Sequence, residues 1–256
     1  MGIGVRVSFL SRMIKRRATI QRTITRPTVQ PASQLKARGL RSRESLKRAA
    51  KQALNERGYQ KLRVQDVTEK AGVATGLFYR YFHDLDEIVI ELAEDFFSEV
   101  LSNNDPPGTY THPYEWLRST LKRAVDTFAQ NPGIVVCLFG LAGNHEDFDR
   151  IWKRNAHVWN LRLADFLRHQ AGRDVTQARR LAYLLGAMTE GVIYQTLVRR
   201  TEDLNLVGSN PAQVADALAT LFYRAVFLAD PPKSALSIAS RKLVATSQVP
   251  LPKRRG

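Results

Sequence analysis

From Ser42 onward, apolar side chains recur at helical spacing. Leu46, Ala49, Ala50, Ala53 and Leu54 fall at i, i+3, i+4, i+7 and i+8, one face of an α-helix that Gly58 is suited to end. Val64, Val67 and Ala71 share one side of a short second helix over 64–71. Gly72-Val73 makes a tight turn, and a third short helix covers 75–81. A longer helix follows over 84–101, and its acidic first turn (Asp84, Asp86, Glu87) suits the positive end of a helix dipole. The stretch 103–108, with Pro106-Pro107, breaks it. Five more helices are predicted over 113–130, 132–142, 147–171, 175–200 and 211–229, most of them separated by Gly, Asn or Pro breakers. No segment alternates convincingly at period two and no internal repeat is evident, so the predicted fold class is all-α.

Four regions follow. Residues 1–40, with Pro27, Pro31 and scattered Arg, lack sustained periodicity and read as a mostly disordered basic arm. Residues 41–88 form a three-helix unit, and 89–230 a larger helical domain. Residues 231–256 carry Pro231, Pro232, Pro250 and Pro252 and read as a tail without fixed structure.

Charge changes the picture. The 256 residues hold 39 Lys and Arg against 24 Asp and Glu, a net +15. Residues 1–43 contribute eleven bases and no acid, and 44–82 eight bases and four acids, so the first 82 residues carry the whole surplus. Residues 83–100 hold seven acids and no base, 101–230 are nearly balanced, and the tail adds six bases. A polyanionic partner is implied, with nucleic acid ahead of an anionic membrane surface. The one cysteine, Cys137, excludes a disulfide framework, a zinc finger and an iron–sulfur cluster. No apolar stretch approaches the roughly 18–20 residues of a membrane span. The arm lacks the apolar core of a secretory signal, although its composition also fits an organellar transit peptide or an upstream start. No Ser-His-Asp, paired-carboxylate, metal or Gly-rich phosphate constellation stands out, so neither an enzyme nor a cofactor is expected. Asp147 and Asp149 beside His145 read as charge at a helix N-terminus.

Two short helices joined by a Gly-containing turn behind a first helix are a helix-turn-helix signature. The second of the pair must enter a major groove about 12 Å wide. Residues 43–89, RESLKRAAKQALNERGYQKLRVQDVTEKAGVATGLFYRYFHDLDEIV, resemble the DNA-binding domain of the tetracycline-repressor (TetR/AcrR) family. That resemblance implies base reading by Gln65, Thr75, Gly76, Leu77 and Arg80. Gln suits adenine, Arg suits guanine, and Leu offers only apolar contact, as to a thymine methyl. Phosphate contacts fall to Arg43, Arg63, Tyr79 and Tyr81. Lys36, Arg38 and Arg41 become candidates for an arm that reaches the DNA, as homeodomain arms do. The chain departs from the family pattern at Arg63 and Ala74, where Ser or Thr helix caps are common, and at Leu85, where a Lys is common.

The same resemblance makes 89–230 a ligand-binding and dimerisation bundle. Its dimer interface would lie in 175–200 and 211–229, where Gly186, Ala187 and Gly191 allow close approach. Leu185, Met188, Val192, Leu218, Leu221, Phe222 and Ala225 supply apolar faces. Pocket candidates are Trp116, Phe128, Cys137, Phe139, Trp152, Trp159, Phe166, Tyr183, Glu190 and Tyr194. The expected protein is a homodimeric repressor in the bacterial cytoplasm, associated with the nucleoid. A small apolar or amphipathic ligand would release it from a palindromic operator. The FYRYFHDLDEI string, similar to a subgroup controlling fatty-acid synthesis, points to an acyl ligand. The alternative is an effector-independent architectural DNA binder, marked by steep salt dependence and little sequence preference.

Overall fold

The computed structural model describes residues 35–102, 110–141, 145–201 and 210–246, together with Val29 and Ser33. The rest of the expected arm and tail, and the predicted break over 103–108, lie outside the described residues. Among those described, every regular element is helical, as the apolar periodicity requires.

Helix α1 (Ala37–Arg57) begins at Ala37 rather than Ser42. Its first turn carries no amphipathic stripe because its contacts are made elsewhere in the fold. A Cβ at Gly39 would stand 3.3 Å from Leu35 Cδ2 and 3.5 Å from the Tyr81 hydroxyl. Further along, Leu46, Ala50, Ala53 and Leu54 are wholly buried, the face that the spacing predicted. A single 3-10 turn (Tyr59–Lys61) leads to α2 (Val64–Ala71). Gly72 ends α2 with φ +65°, a left-handed conformation that a side chain would strain. The amides of Gly72 and Val73 close back onto the Glu69 and Thr68 carbonyls at 3.1 and 3.0 Å. The chain thereby reverses into α3 (Thr75–Tyr81).

Helix α4 (Leu85–Ser102) joins this unit to the larger domain and touches α1, α5, α6 and α7. That domain comprises α5 (Pro113–Gln130), α6 (Pro132–Leu141), α7 (Glu146–Ala171), α8 (Val175–Ile193) and α9 (Pro211–Phe227). A π-helical turn extends α8 through Tyr194–Val198. Helix α5 packs chiefly on α9, and α7 on α8. Contrary to the expectation of no span-like stretch, Val175–Val198 is long and apolar enough to cross a bilayer by length and composition.

The tail also differs from its prediction. Residues 238–246 form α10 (Ile238–Thr246), which packs on α9, and Leu236 is buried. Its anchors are polar, which hydrophobic periodicity does not register. Ser237 donates to Asp216, the Tyr114 hydroxyl donates to Ser240 at 3.3 Å, and Arg118 pairs with Asp216 at 2.5 Å.

One contact fixes α1 against the larger domain. Asn131, the residue before α6, turns its amide onto the Thr127 carbonyl at 2.7 Å and does not cap α6. Asn55 of α1 supplies the missing acceptor, taking the Gly133 N–H at 2.9 Å. A Cβ at Gly133 would lie 2.8 Å from both Asn55 Oδ1 and the Leu54 carbonyl carbon, so only glycine lets the helices meet. Gly133→Ala is expected to lower stability by about 1–3 kcal/mol, as overpacking does. Urea unfolding monitored by far-UV circular dichroism measures it.

Candidate nucleic-acid interface and effector cavity

The local chemistry of α2 and α3 sets what they can present. Arg63 cannot cap α2 by accepting a hydrogen bond. Asp66 in the first turn compensates: its carboxylate accepts the Arg63 backbone N–H at 2.9 Å, the reciprocal half of a capping box. Arg57 pairs with the same carboxylate at 3.3 Å. Ala74, at the cap of α3, makes no side-chain cap bond, and the Leu77 N–H reaches its carbonyl at 2.9 Å. Val67, Phe78 and Phe82 are fully buried, which turns the opposite faces of both helices outward.

Those outward faces carry most of the predicted DNA contacts. Gln65, Thr75, Gly76 and Arg80 are exposed, Leu77 is half-buried, and Tyr79 is 38% exposed with its ring edge-on to Phe78. Lys36, Arg38 and Arg41 are exposed as well, but in the first turns of α1 and its cap rather than in an arm. Lys36, Arg38 and Ser42 rim one groove with Leu77 and Arg80, so the start of α1 and the end of α3 form a single basic surface. Ser42 was missed in the sequence because only the packing of α1 beside α3 brings it there.

One predicted phosphate contact is corrected. Arg43 is buried: it pairs with Glu91 of α4, and its guanidinium lies 4.5 Å from the Phe82 ring centroid. Tyr81 is only 3% exposed and packs largely in the core, yet it also lines the groove with Lys36, Arg38 and Arg80. Arg43 cannot reach a phosphate without leaving its partners. Arg63 remains exposed at the start of α2.

The larger domain holds a narrow cavity of about 50 Å³ between α4, α5, α7 and α8. Of the predicted pocket residues, Phe128, Trp152, Trp159 and Glu190 line it. Trp116 lines a separate crevice that Trp159 shares, and stacks on Phe166 with centroids 4.0 Å apart. Cys137 is a core residue whose thiol burial pushes up to about 12, outside the reach of a ligand in the cavity. Tyr183 is exposed on α8 and hydrogen-bonds His157, and Tyr194 packs on Phe139. The sequence reading placed Phe97, Val100 and Leu101 in the larger domain but did not single them out, because only the packing of α4 against α5, α7 and α8 brings them to the cavity. Among the described residues Glu190 is the one ionisable group on the wall, and burial raises its carboxyl above the usual carboxylate range. Among the described residues no group of three or more His, Cys, Asp or Glu could hold a metal ion.

Comparison with known proteins agrees with this geometry. Residues 46–92 match the family model described as bacterial regulatory proteins, tetR family. The chain is 36% identical over 66 residues to YdgC, an uncharacterized HTH-type transcriptional regulator of Bacillus subtilis (strain 168). That match covers 26% of this chain and 34% of the relative. It is 30% identical over 107 residues to YvdT, another such regulator of the same organism, covering 40% and 54% of the two chains. The chain thus spans between a third and about half the length of these relatives. Among solved structures, a transcriptional regulator from Rhodococcus sp. Rha1 is similar with a TM-score of 0.56 at 18% identity, covering 73% of this chain and 96% of that one. The fatty acid degradation regulator FadR from Bacillus halodurans is similar with a TM-score of 0.55 at 16% identity, covering 71% and 94%. At such identities the likeness is one of fold, and it extends over both the helix-turn-helix unit and the helical body. Over residues 46–92 the chain carries a helix-turn-helix domain that matches the tetR family of bacterial regulatory proteins.

Proposed function

We propose that this protein is a homodimeric transcriptional repressor that binds a palindromic operator in the bacterial cytoplasm and is released by a small ligand entering the α4–α8 cavity. The observation that carries the DNA-binding part is the outward face of α3, where Thr75, Gly76, Tyr79 and Arg80 are exposed and Arg80 borders the basic start of α1. Thr75, Gly76 and Arg80, with Gln65, read base edges, while Tyr79, Arg63, Lys36, Arg38 and Arg41 hold phosphates and fix the register.

Dimerisation is supported by apolar residues left uncovered on α8 and α9. Leu184 is 68% exposed, Tyr183 44% and Leu221 43%, with Ala187, Gly191 and Ala225 exposed beside them in sequence. Other predicted interface residues belong to the protomer's own core. Leu185, Leu218 and Phe222 are buried, and Gly186 lies against Asn160 of α7. Two copies joined through α8 and α9 place two recognition helices about one helical turn, roughly 34–36 Å, apart. Ligand entry acts through α4, which both walls the cavity with Phe97, Val100 and Leu101 and grips α1 through Glu91. An occupant that favours one position of α4 shifts the population of DNA-competent dimers.

Selection of bound fragments from random duplex DNA is expected to enrich one palindrome. Salt-sensitive binding with no enriched site would instead establish a nonspecific binder. Arg80→Ala is expected to cost about 1–3 kcal/mol and to relax preference at one base position, whereas Arg38→Ala weakens binding evenly across sequences. Fluorescence anisotropy on matched operator variants separates the two effects. Leu184→Glu combined with Leu221→Glu is expected to yield monomers in sedimentation velocity, with loss of palindrome binding and an unchanged far-UV spectrum.

A further inference from the structure

The cavity has a chemical bias that its aromatic walls alone do not reveal. Its other polar wall groups are already engaged. Asn155 donates to the Ile151 carbonyl at 2.8 Å and Thr189 to the Leu185 carbonyl at 3.0 Å, each within its own helix. Glu190 differs. It takes part in no ion pair or hydrogen bond among the described residues, yet it faces the cavity beside Trp152, Trp159 and Phe97. The nearby arginines are committed elsewhere: Arg162 donates to the Leu101 carbonyl, and Arg154 pairs with Glu94. A carboxylate on an apolar wall without a counter-ion is costly, and an incoming positive charge relieves that cost. Burial already raises its pKa above the usual carboxylate range.

We propose that this cavity accepts a lipophilic organic cation, an alkyl- or arylammonium, with its charge against the Glu190 carboxylate and its apolar body against Trp152, Trp159 and Phe97. The indole faces add cation–π attraction to the ion pair. A fatty-acid carboxylate at the same place would set two like charges together, so the chemistry of the wall argues against a free acyl chain. The cavity is narrow at about 50 Å³, and entry of such a cation requires α4 to move outward from α7 and α8. The proposal rests on the cavity being the effector site, and the two can fail separately.

The test uses full-length protein without DNA, titrated with benzyltrimethylammonium, its uncharged isostere neopentylbenzene, and octanoate. Tryptophan fluorescence and calorimetry give the affinities. The cation is expected to bind about tenfold or more tightly than the isostere, a difference that one ion pair supplies, and octanoate not to bind. Glu190→Gln should remove that preference and leave the isostere's affinity as it was. Its melting temperature should be no lower than the parent's, since the substitution removes an unpaired, half-buried charge. Equal affinity for cation and isostere overturns the proposal, as does an unchanged cation affinity in Glu190→Gln or a preference for octanoate. Operator release is scored in a separate assay. Glu190-dependent cation binding without release upholds the site and overturns its effector role. Release by octanoate with no cation binding overturns the cation and upholds an effector-responsive repressor.

Discussion

The structure depends on charge compensation between α1 and α4. Arg43 and Lys47 project from the inner side of α1, and both are largely buried. Arg43 meets Glu91, while Lys47 meets Asp95 and lies 3.8 Å from Glu91. Glu91 and Asp95 are two of the seven acids that follow directly on the most basic part of the chain. Removing Glu91 is expected to cost about 3 kcal/mol, the lower end for a buried pair, because Arg43 is left stranded while Glu91 itself keeps partial exposure. The same pairing divides the bases by task. Those on the inner side of α1 hold the protein together, and those around its start and on α3 remain at the surface for a polyanion.

A second set of contacts makes α1 and α4 rigid partners of the larger domain. Asn55 caps α6 from the end of α1. Tyr59 donates to Asp86 at the start of α4 and stands edge-on to Phe148 of α7 with centroids 6.2 Å apart. The DNA-side unit is therefore held at three places, on α4, α6 and α7. A shift of α4 away from α7 and α8 acts on that grip directly, so a cavity walled by α4 is well placed to influence DNA recognition.

The helix-turn-helix unit was largely legible because its determinants are local. Apolar spacing, Gly72 at the turn and the RESLKRAAKQALNERGY string all lie within a few turns of one another. Its surface was less so. Arg43 has a side chain suited to phosphate and stands at a position where the family resemblance supports that role, yet it faces inward. No local rule separates Arg43 from Arg38 or Arg41, since the acid that claims Arg43 lies 48 residues away on α4. Likewise the sequence puts Phe97, Val100 and Leu101 of α4 in the larger domain, but only the fold brings them to one cavity with α5, α7 and α8.

By itself the sequence determined the helical periods, the breaks between them, the recognition pair and the surplus of positive charge, because each depends on neighbours within about one or two helical turns. Tertiary structure alone decided which bases are neutralised, which small residues serve close packing and which serve an exposed face, and that Glu190 stands unpaired on an aromatic wall. It also decided that part of the proline-bearing tail is ordered, since Ser237 and Ser240 are fixed by Asp216 and Tyr114 from distant helices. These outcomes turn on groups far apart in the chain, whose encounter the apolar pattern of any one helix does not encode.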